Sequence, residues 1–304
     1  MKSMTNYITE AKWVDVFLIW YVLVDSAYQS LEQQYGEWRQ SGPPPVFSDS
    51  EVITVALVID TYFHGNEELG LSFLRQYHAE LFPHLPSDGH FNERRTRLAP
   101  LIEQLRCWLT AQEGLLDETD PVRLIDSAPI FVATYGRGGK NQTLAGHEYF
   151  GVAKSQGAKV FGLRLALTTT HDQVIDHWML APASLHDSTT MPALVEGQQA
   201  LLLVGDGAYH NPTVQPVLAN NHQIEVLAPP RQDSRLDAWS AAERHIVSTC
   251  RRPIEAAFSV LATVFDIEHP HARSLHGLLT RIATRILAYT CSFLMHKYLA
   301  LLTG

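Results

Sequence analysis

The sequence predicts an α/β protein: a mixed sheet flanked by helices, with a mainly helical region ahead of it. Three observations lead there. Residues 1–120 carry long apolar stretches separated by helix-capping and breaker residues. At Pro121 the texture changes to short apolar runs bounded by turn residues. From Glu243 onward helical spacing returns. The expected division is therefore 1–120 as a helical N-terminal region and 121–304 as the α/β domain. With 304 residues the chain is long enough for one large domain or two moderate ones. Its 46% hydrophobic, 18% charged and 10% aromatic content excludes a disordered, collagen-like or heptad-rod chain.

In chain order, Trp13 to Tyr28 is an apolar helical stretch free of Gly and Pro, and Pro43-Pro44-Pro45 is a break beyond it. Ser48 and Glu51 stand at capping-box spacing before a second helix over Val52 to Phe63. A third helix is expected over Leu71 to Leu81, ended by Pro83. A fourth is expected from Phe91 through Trp108, with Arg94, Arg95 and Arg97 in its first turns. Cations there oppose the helix dipole, so these arginines read either as DNA-backbone contacts or as a solvated basic face.

After Pro121, Val122 to Ala133 reads as a buried strand carrying one acid, Asp126. Val160 to Thr169 and Val174 to Leu180 form a hairpin about His171-Asp172-Gln173. Asp187 is placed to cap a short helix through Met191 to Leu194. Ala200 to Val204 is a short strand stopping at Gly205-Asp206-Gly207, and Ile224 to Leu227 is another, closed by Pro229-Pro230. Three adjacent strands, a helix, a strand, a helical stretch, a strand and a long helix is the order of a ribonuclease-H-like core, an order with which other α/β folds also begin.

Charge is unevenly spread over the net −9. Residues 1–120 hold 8 Lys/Arg against 18 Asp/Glu, whereas residues 123–164 are net +4, with Arg123, Arg137, Lys140, Lys154, Lys159 and Arg164. Such a strip attracts phosphate even on an acidic protein, because screening confines each field to about 10 Å. The three cysteines, Cys107, Cys250 and Cys291, have neither metal-ligand nor disulfide-framework spacing, which points to a reducing cytoplasm. The apolar runs Val16 to Val24 and Ile286 to Leu294 are shorter than the roughly 20 residues of a membrane span. Asp15 interrupts the stretch a signal peptide would need. No membrane partner is expected.

Two acids stand where acids are costly. Asp126 lies within Leu124-Ile125-Asp126-Ser127-Ala128-Pro129-Ile130, and Asp206 ends Leu201-Leu202-Leu203-Val204-Gly205-Asp206. A carboxylate beside a buried strand needs a cation or hydrogen bonds to offset its desolvation. Backbone N–H bonds at a strand end would satisfy either acid alone; both together favour a shared cation. Glu255 borders the apolar stripe Ile254, Phe258 and Leu261 and is the third candidate, unless it only pairs with Arg251 one turn earlier. Three carboxylates without His or Cys suit Mg²⁺ or Mn²⁺. Two such ions about 4 Å apart support in-line displacement at phosphorus.

These residues bring the chain to a resemblance. Phe47 to Thr54, Leu85-Pro86-Ser87 with Phe91-Asn92-Glu93-Arg94-Arg95, Asp126 to Ile130, Phe161-Gly162-Leu163, Gly205 to Tyr209, and Arg251 to Phe258 resemble, in that order, the DDE transposases of bacterial insertion sequences. The most similar is the insertion-sequence-982 family. The resemblance implies that Asp126, Asp206 and Glu255 are the catalytic metal ligands. The acids are 80 and 49 residues apart, and the second interval leaves no room for a large β-rich insertion. Arg251 stands four before Glu255, as in the wider insertion-sequence-4 signature, whereas that signature's Tyr and Lys are here Ser248 and Ala262.

The implied function is metal-dependent cleavage at element ends, with strand transfer of the 3′-hydroxyl into target DNA. It brings two Mg²⁺ or Mn²⁺ ions, double-stranded DNA (terminal inverted repeats and target) and a homodimer in the DNA complex. The expected DNA contacts are Arg94, Arg95, Arg97, Arg123, Lys154, Lys159, Arg164, Arg251 and Arg252. The alternatives are a metal-dependent nuclease without strand transfer, and a non-catalytic DNA-binding descendant. Among weaker features, His269 and His271 lack a third ligand nearby in sequence, and His186-Asp187 is similar to a family pair. Trp178 and Tyr209 read as core aromatics or base-stacking platforms.

Overall fold

The computed structural model describes residues 10–38, 42–117, 119–153, 157–230 and 239–303. Two compact units emerge, 1–114 with 263–304, and 115–262.

The chain begins with α1 (Glu10–Tyr35), α2 (Asp49–Tyr62), α3 (Glu67–Tyr77), α4 (Asp88–Arg97) and α5 (Ala99–Gln112). The Ser48/Glu51 capping box forms as the spacing requires: Ser48 Oγ accepts from the Glu51 N–H, and Glu51 accepts from the Ser48 N–H. Helix α2 is buried on nearly every side, from Val52 through Ile59, which makes it the core of its unit.

The single helix expected from Phe91 to Trp108 is two helices, α4 and α5, parted at Leu98, with Pro100 in the first turn of α5. A proline favours a helix start because it lacks the N–H that a helix interior needs. Arg94, Arg95 and Arg97 therefore occupy the last turn of α4, where the dipole favours cations.

Their environments differ. Arg95 is 1% exposed, paired with buried Asp60 and, at 2.8 Å, with Glu67. Arg94 is held by Asp49 at 2.5 Å and by the Phe47 carbonyl. Arg97 is 74% exposed and meets only Glu93, one turn away. The expectation of phosphate contact is corrected for Arg95, whose charge is used to neutralise buried acids.

The second unit opens with β1 (Val122–Ala133), β2 (Phe150–Ala153), β3 (Ala158–Thr169) and β4 (Ile175–Pro182), then α6 (Asp187–Leu194). Next come β5 (Leu202–Val204), α7 (Val214–His222), β6 (Glu225–Leu227), α8 (Ala241–Cys250) and α9 (Arg252–Thr263). Strand β3 pairs antiparallel with β1 and β4, while β5 runs parallel to β1 and β6 parallel to β5. The order β4-β3-β1-β5-β6 is the ribonuclease-H-like arrangement, with a helix after β4 and another between β5 and β6. Strand β2, an addition on β3, is not foreshadowed in the sequence. Its four residues, with a glycine among them, carry too little periodicity to register.

Ile125, Ala166, Leu203, Met191, Tyr209, Leu218 and Ile224 pack the sheet against α6 and α7. Arg123, expected at DNA, is buried instead, its Nε 2.6 Å from Asp176 Oδ2. A strand residue pointing inward must neutralise its charge locally.

The last helix, α10 (Leu275–Thr303), belongs with the N-terminal helices rather than with the sheet, to which the division at residue 120 would have assigned it. It packs on α5 and α2 through its buried Leu278, Ile282, Ile286 and Leu287. Arg281 adds an ion pair to Glu67 at 3.0 Å, and buried Arg285 lies beside Asp60. Burial pushes the Asp60 carboxyl upward against the opposing pull of Arg95, Arg285 and Arg281.

By length and composition, Trp13–Tyr35 and Leu275–Met295 are each long and apolar enough to cross a membrane, longer than the apolar runs alone suggested. The second is mostly buried inside its own unit, as a core helix is.

Candidate active site

The β1/β5 ladder ends at Leu124 opposite Val204. Asp126 lies two residues beyond Leu124, and Asp206 two residues beyond Val204. Side chains two apart on a strand share a face, so Asp126 stays on the face of Leu124, and Asp206, in the turn just past β5, stands near enough to raise its acid. Gly205 permits this, because a Cβ there would stand 2.9 Å from both Ile125 Cγ2 and Tyr209 Cδ2.

Each aspartate is tied down by backbone. Asp126 Oδ1 accepts from the Ser127 N–H at 2.8 Å, and Asp206 Oδ1 from the Ala208 N–H at 2.8 Å. Burial lifts the Asp126 acid to about 6, with Asp206 and Asp187 adding repulsion, while Arg251 and the Ser127 N–H pull the other way. A largely buried acid beside another carboxylate is a hard-oxygen donor set short of positive charge, and it suits Mg²⁺ or Mn²⁺.

Arg251, at the junction of α8 and α9, is the cation present. Its Nη2 lies 2.7 Å from Asp126 Oδ2, and its Nη1 lies 3.7 Å from Glu255 Oε1. Glu255 is thus linked to Asp126 through Arg251, with its side chain 55% exposed. Among the described residues, no three His, Cys, Asp or Glu side chains gather closely enough to hold a metal ion. The expected convergence of three carboxylates is therefore replaced by Asp126 and Asp206 with an arginine beside them, and Glu255 makes its one-turn pair. Glu243 does not take the third place, since it closes a capping box with Ser240 at the start of α8.

A polar group next to Asp126 was not assembled from sequence. Asp187 accepts from Ser127 Oγ and from Arg164 Nη1, the latter at 2.9 Å, and Arg164 also reaches Ser127 Oγ at 3.2 Å. His186, rather than Asp187, caps α6, its side chain accepting from the Ser188 N–H. Tyr209 is 1% exposed, which makes it a core aromatic. Its hydroxyl is pushed well up by burial and by Asp187 and Asp126. The available signal for Asp187 was an acid directly after the third strand's turn, but a helix cap explains the same residue.

Of the remaining expected contacts, Arg252 is exposed, and Lys159 is exposed with its Nζ 5.5 Å from the Tyr135 ring centroid. Lys154 lies outside the described residues. His269 and His271 both meet Asp266, at 3.1 and 3.5 Å.

The family described as transposase DDE domain matches residues 117–291. No curated protein matches the chain. Solved structures similar to it include a Mos1 transposase paired-end complex with left transposon end, at 11% identity and TM-score 0.24, covering 94% of this chain and 98% of that one. Another is the Mos1 strand transfer complex, at 12% identity and TM-score 0.23, covering 94% and 97%.

Proposed function

The chain belongs to the transposase DDE-domain family, and on that premise we propose that it is an insertion-sequence DNA transposase. In this reading it cuts phosphodiester bonds at the element's ends and joins the freed 3′-hydroxyl to target DNA. The observation that carries the reading is the placement of Asp126, in β1 just past its parallel pairing with β5, near Asp206, just past the end of β5, the first of them raised by burial and by the second.

A hard divalent cation, Mg²⁺ or Mn²⁺, supplies Lewis-acid stabilisation of the phosphoryl oxygens when bound. Asp126 and Asp206 would hold it, with Glu255 as the third candidate ligand. The backbone N–H on Oδ1 of each aspartate would steady the carboxylate for that role. Arg251 and the exposed Arg252 give the phosphate backbone paired donors. The Asp187–Arg164–Ser127 group keeps β1 and α6 in register beside the reacting phosphate.

We place the protein in the insertion-sequence-982 family, in a bacterial cytoplasm, acting as a homodimer on two DNA ends. The helical N-terminal region serves end recognition, self-association, or both.

The test incubates purified protein with duplexes carrying the sequences that flank its gene, in Mg²⁺, Mn²⁺ or chelator, scoring cleavage and joining separately. Metal-dependent cuts that become joined products are expected, and Asp126→Asn should abolish both. Each 1.4 kcal/mol of lost stabilisation costs about tenfold in rate. Cuts that never join would identify a nuclease. Binding without cuts by the unmutated protein would identify a DNA-binding descendant.

A further inference from the structure

Arg251 touches two of the three acids assigned to the metal, and it does so from a partly enclosed position. Its side chain is 12% exposed, Nη2 is on Asp126 Oδ2, and Nη1 faces Glu255. Its buried Nε has no hydrogen-bond partner. One guanidinium thus neutralises the carboxylate oxygen that a cation would need and holds Glu255 away from it. The two arrangements oppose each other, since the guanidinium charge repels a divalent ion and takes up a lone pair of Asp126 Oδ2. Drawing the arginine off would strengthen the acids' hold on an ion. A DNA backbone phosphate is the group with the right chemistry. It offers oxygens for two parallel N–H···O bonds from the same fork, and Arg252, exposed next in sequence, would meet the neighbouring phosphate.

We propose that Arg251 is a substrate-operated gate on metal loading: it occupies Asp126 in the DNA-free protein and moves to a backbone phosphate when DNA binds, releasing Asp126 and Glu255 to the cation. The proposal rests on the metal-dependent reading above. Its consequence is reciprocal coupling, because whatever factor DNA contributes to metal affinity, metal must contribute to DNA affinity. It also keeps the site from holding an activated ion away from DNA. Arg251 acts here as a positioning residue, through the carboxylates it releases.

The experiment measures Mn²⁺ affinity of the full chain, from the spin-resonance signal of free Mn²⁺, with and without a nonspecific duplex and with the duplex's own uptake subtracted. For the parent, the duplex should tighten Mn²⁺ about tenfold, within the span of roughly 5–150-fold usual for coupled sites. Arg251→Gln should bind Mn²⁺ tightly without DNA and gain little from the duplex. Arg251→Lys, which keeps the charge but loses the fork, should fall between. An Arg251→Gln protein that binds Mn²⁺ no more tightly than the parent, or a parent indifferent to the duplex, overturns the gate. Should Arg251→Gln not fold, Arg251→Lys decides: Mn²⁺ affinity and duplex response equal to the parent's overturn the gate. Asp126→Asn separates the two levels. If it binds Mn²⁺ as the parent does, the metal reading itself fails; if it loses Mn²⁺ while Arg251→Gln behaves as the parent, only the gate fails.

Discussion

Asp126 concentrates the chemistry of the site in one acid. Its folded-state pKa of about 6 lies above the 3.8 of an ordinary aspartate, so between those values the folded protein binds more protons than the unfolded chain. Stability from this group is complete below about pH 4. It is lost as pH rises through 6, by roughly 3 kcal/mol at 1.36 kcal/mol per unit. Asp126→Asn should remove that slope and melt higher than the parent at pH 7.5 in chelator. With a duplex present, Mn²⁺ should raise the melting temperature of the parent but not of the variant. Melting curves of both proteins across pH 4–8 check this, and parallel curves would mean that burial of this carboxylate is not what limits stability. The acid was legible in sequence because a lone charge inside an apolar strand breaks the pattern. Its partner was not, because Arg251 is 125 residues away in the chain, and no local pattern registers such a contact.

At the scale of an element, α4 shows how three similar residues part company. The helix turns its last residues in different directions, so that Arg95 enters the acid-lined interior while Arg97 stays in water. Arg95→Ala should cost about 3–5 kcal/mol, since it takes the nearest counter-charge from buried Asp60. Arg97→Ala should change stability by less than about 1 kcal/mol, the range of an exposed pair. Urea denaturation of the two variants compares them directly, and equal losses would contradict the burial of Arg95. The existence of this helix was legible in the run from Phe91, though it begins earlier, at Asp88. Its end at Leu98 depended on a proline one turn into α5, which the periodicity ran across.

For the whole molecule, charge is distributed by role. Acidic residues outnumber basic ones in residues 1–120, and several basic residues of the sheet unit are engaged internally, Arg123 with Asp176 and Arg164 with Asp187. DNA affinity should therefore rest on fewer cations than the sequence offers. Replacing exposed Lys159 and Arg252 together by Ala should lower the slope of log affinity against log salt by about 1.8, at about 0.9 per phosphate contact. Filter binding across a salt series measures it, and an unchanged slope would place the phosphate contacts elsewhere.

The sequence by itself determined the succession of strands and helices along the chain, β2 excepted, and the helical character of the first region, and it singled out the two aspartates. Each of these is a local property: alternation, capping chemistry, or an acid among apolar neighbours. Tertiary structure decided which charges are spent inside and which face solvent. Arg95 and Arg123 look like surface cations in any window of the chain, yet each neutralises an acid brought to it by folding. The same is true of the C-terminal helix, whose apolar face suits a sheet or a bundle equally. Only the positions of Asp60 and Glu67 in the helical unit, facing Arg285 and Arg281, set its place, because a buried charge is tolerated only where its counter-charge already stands.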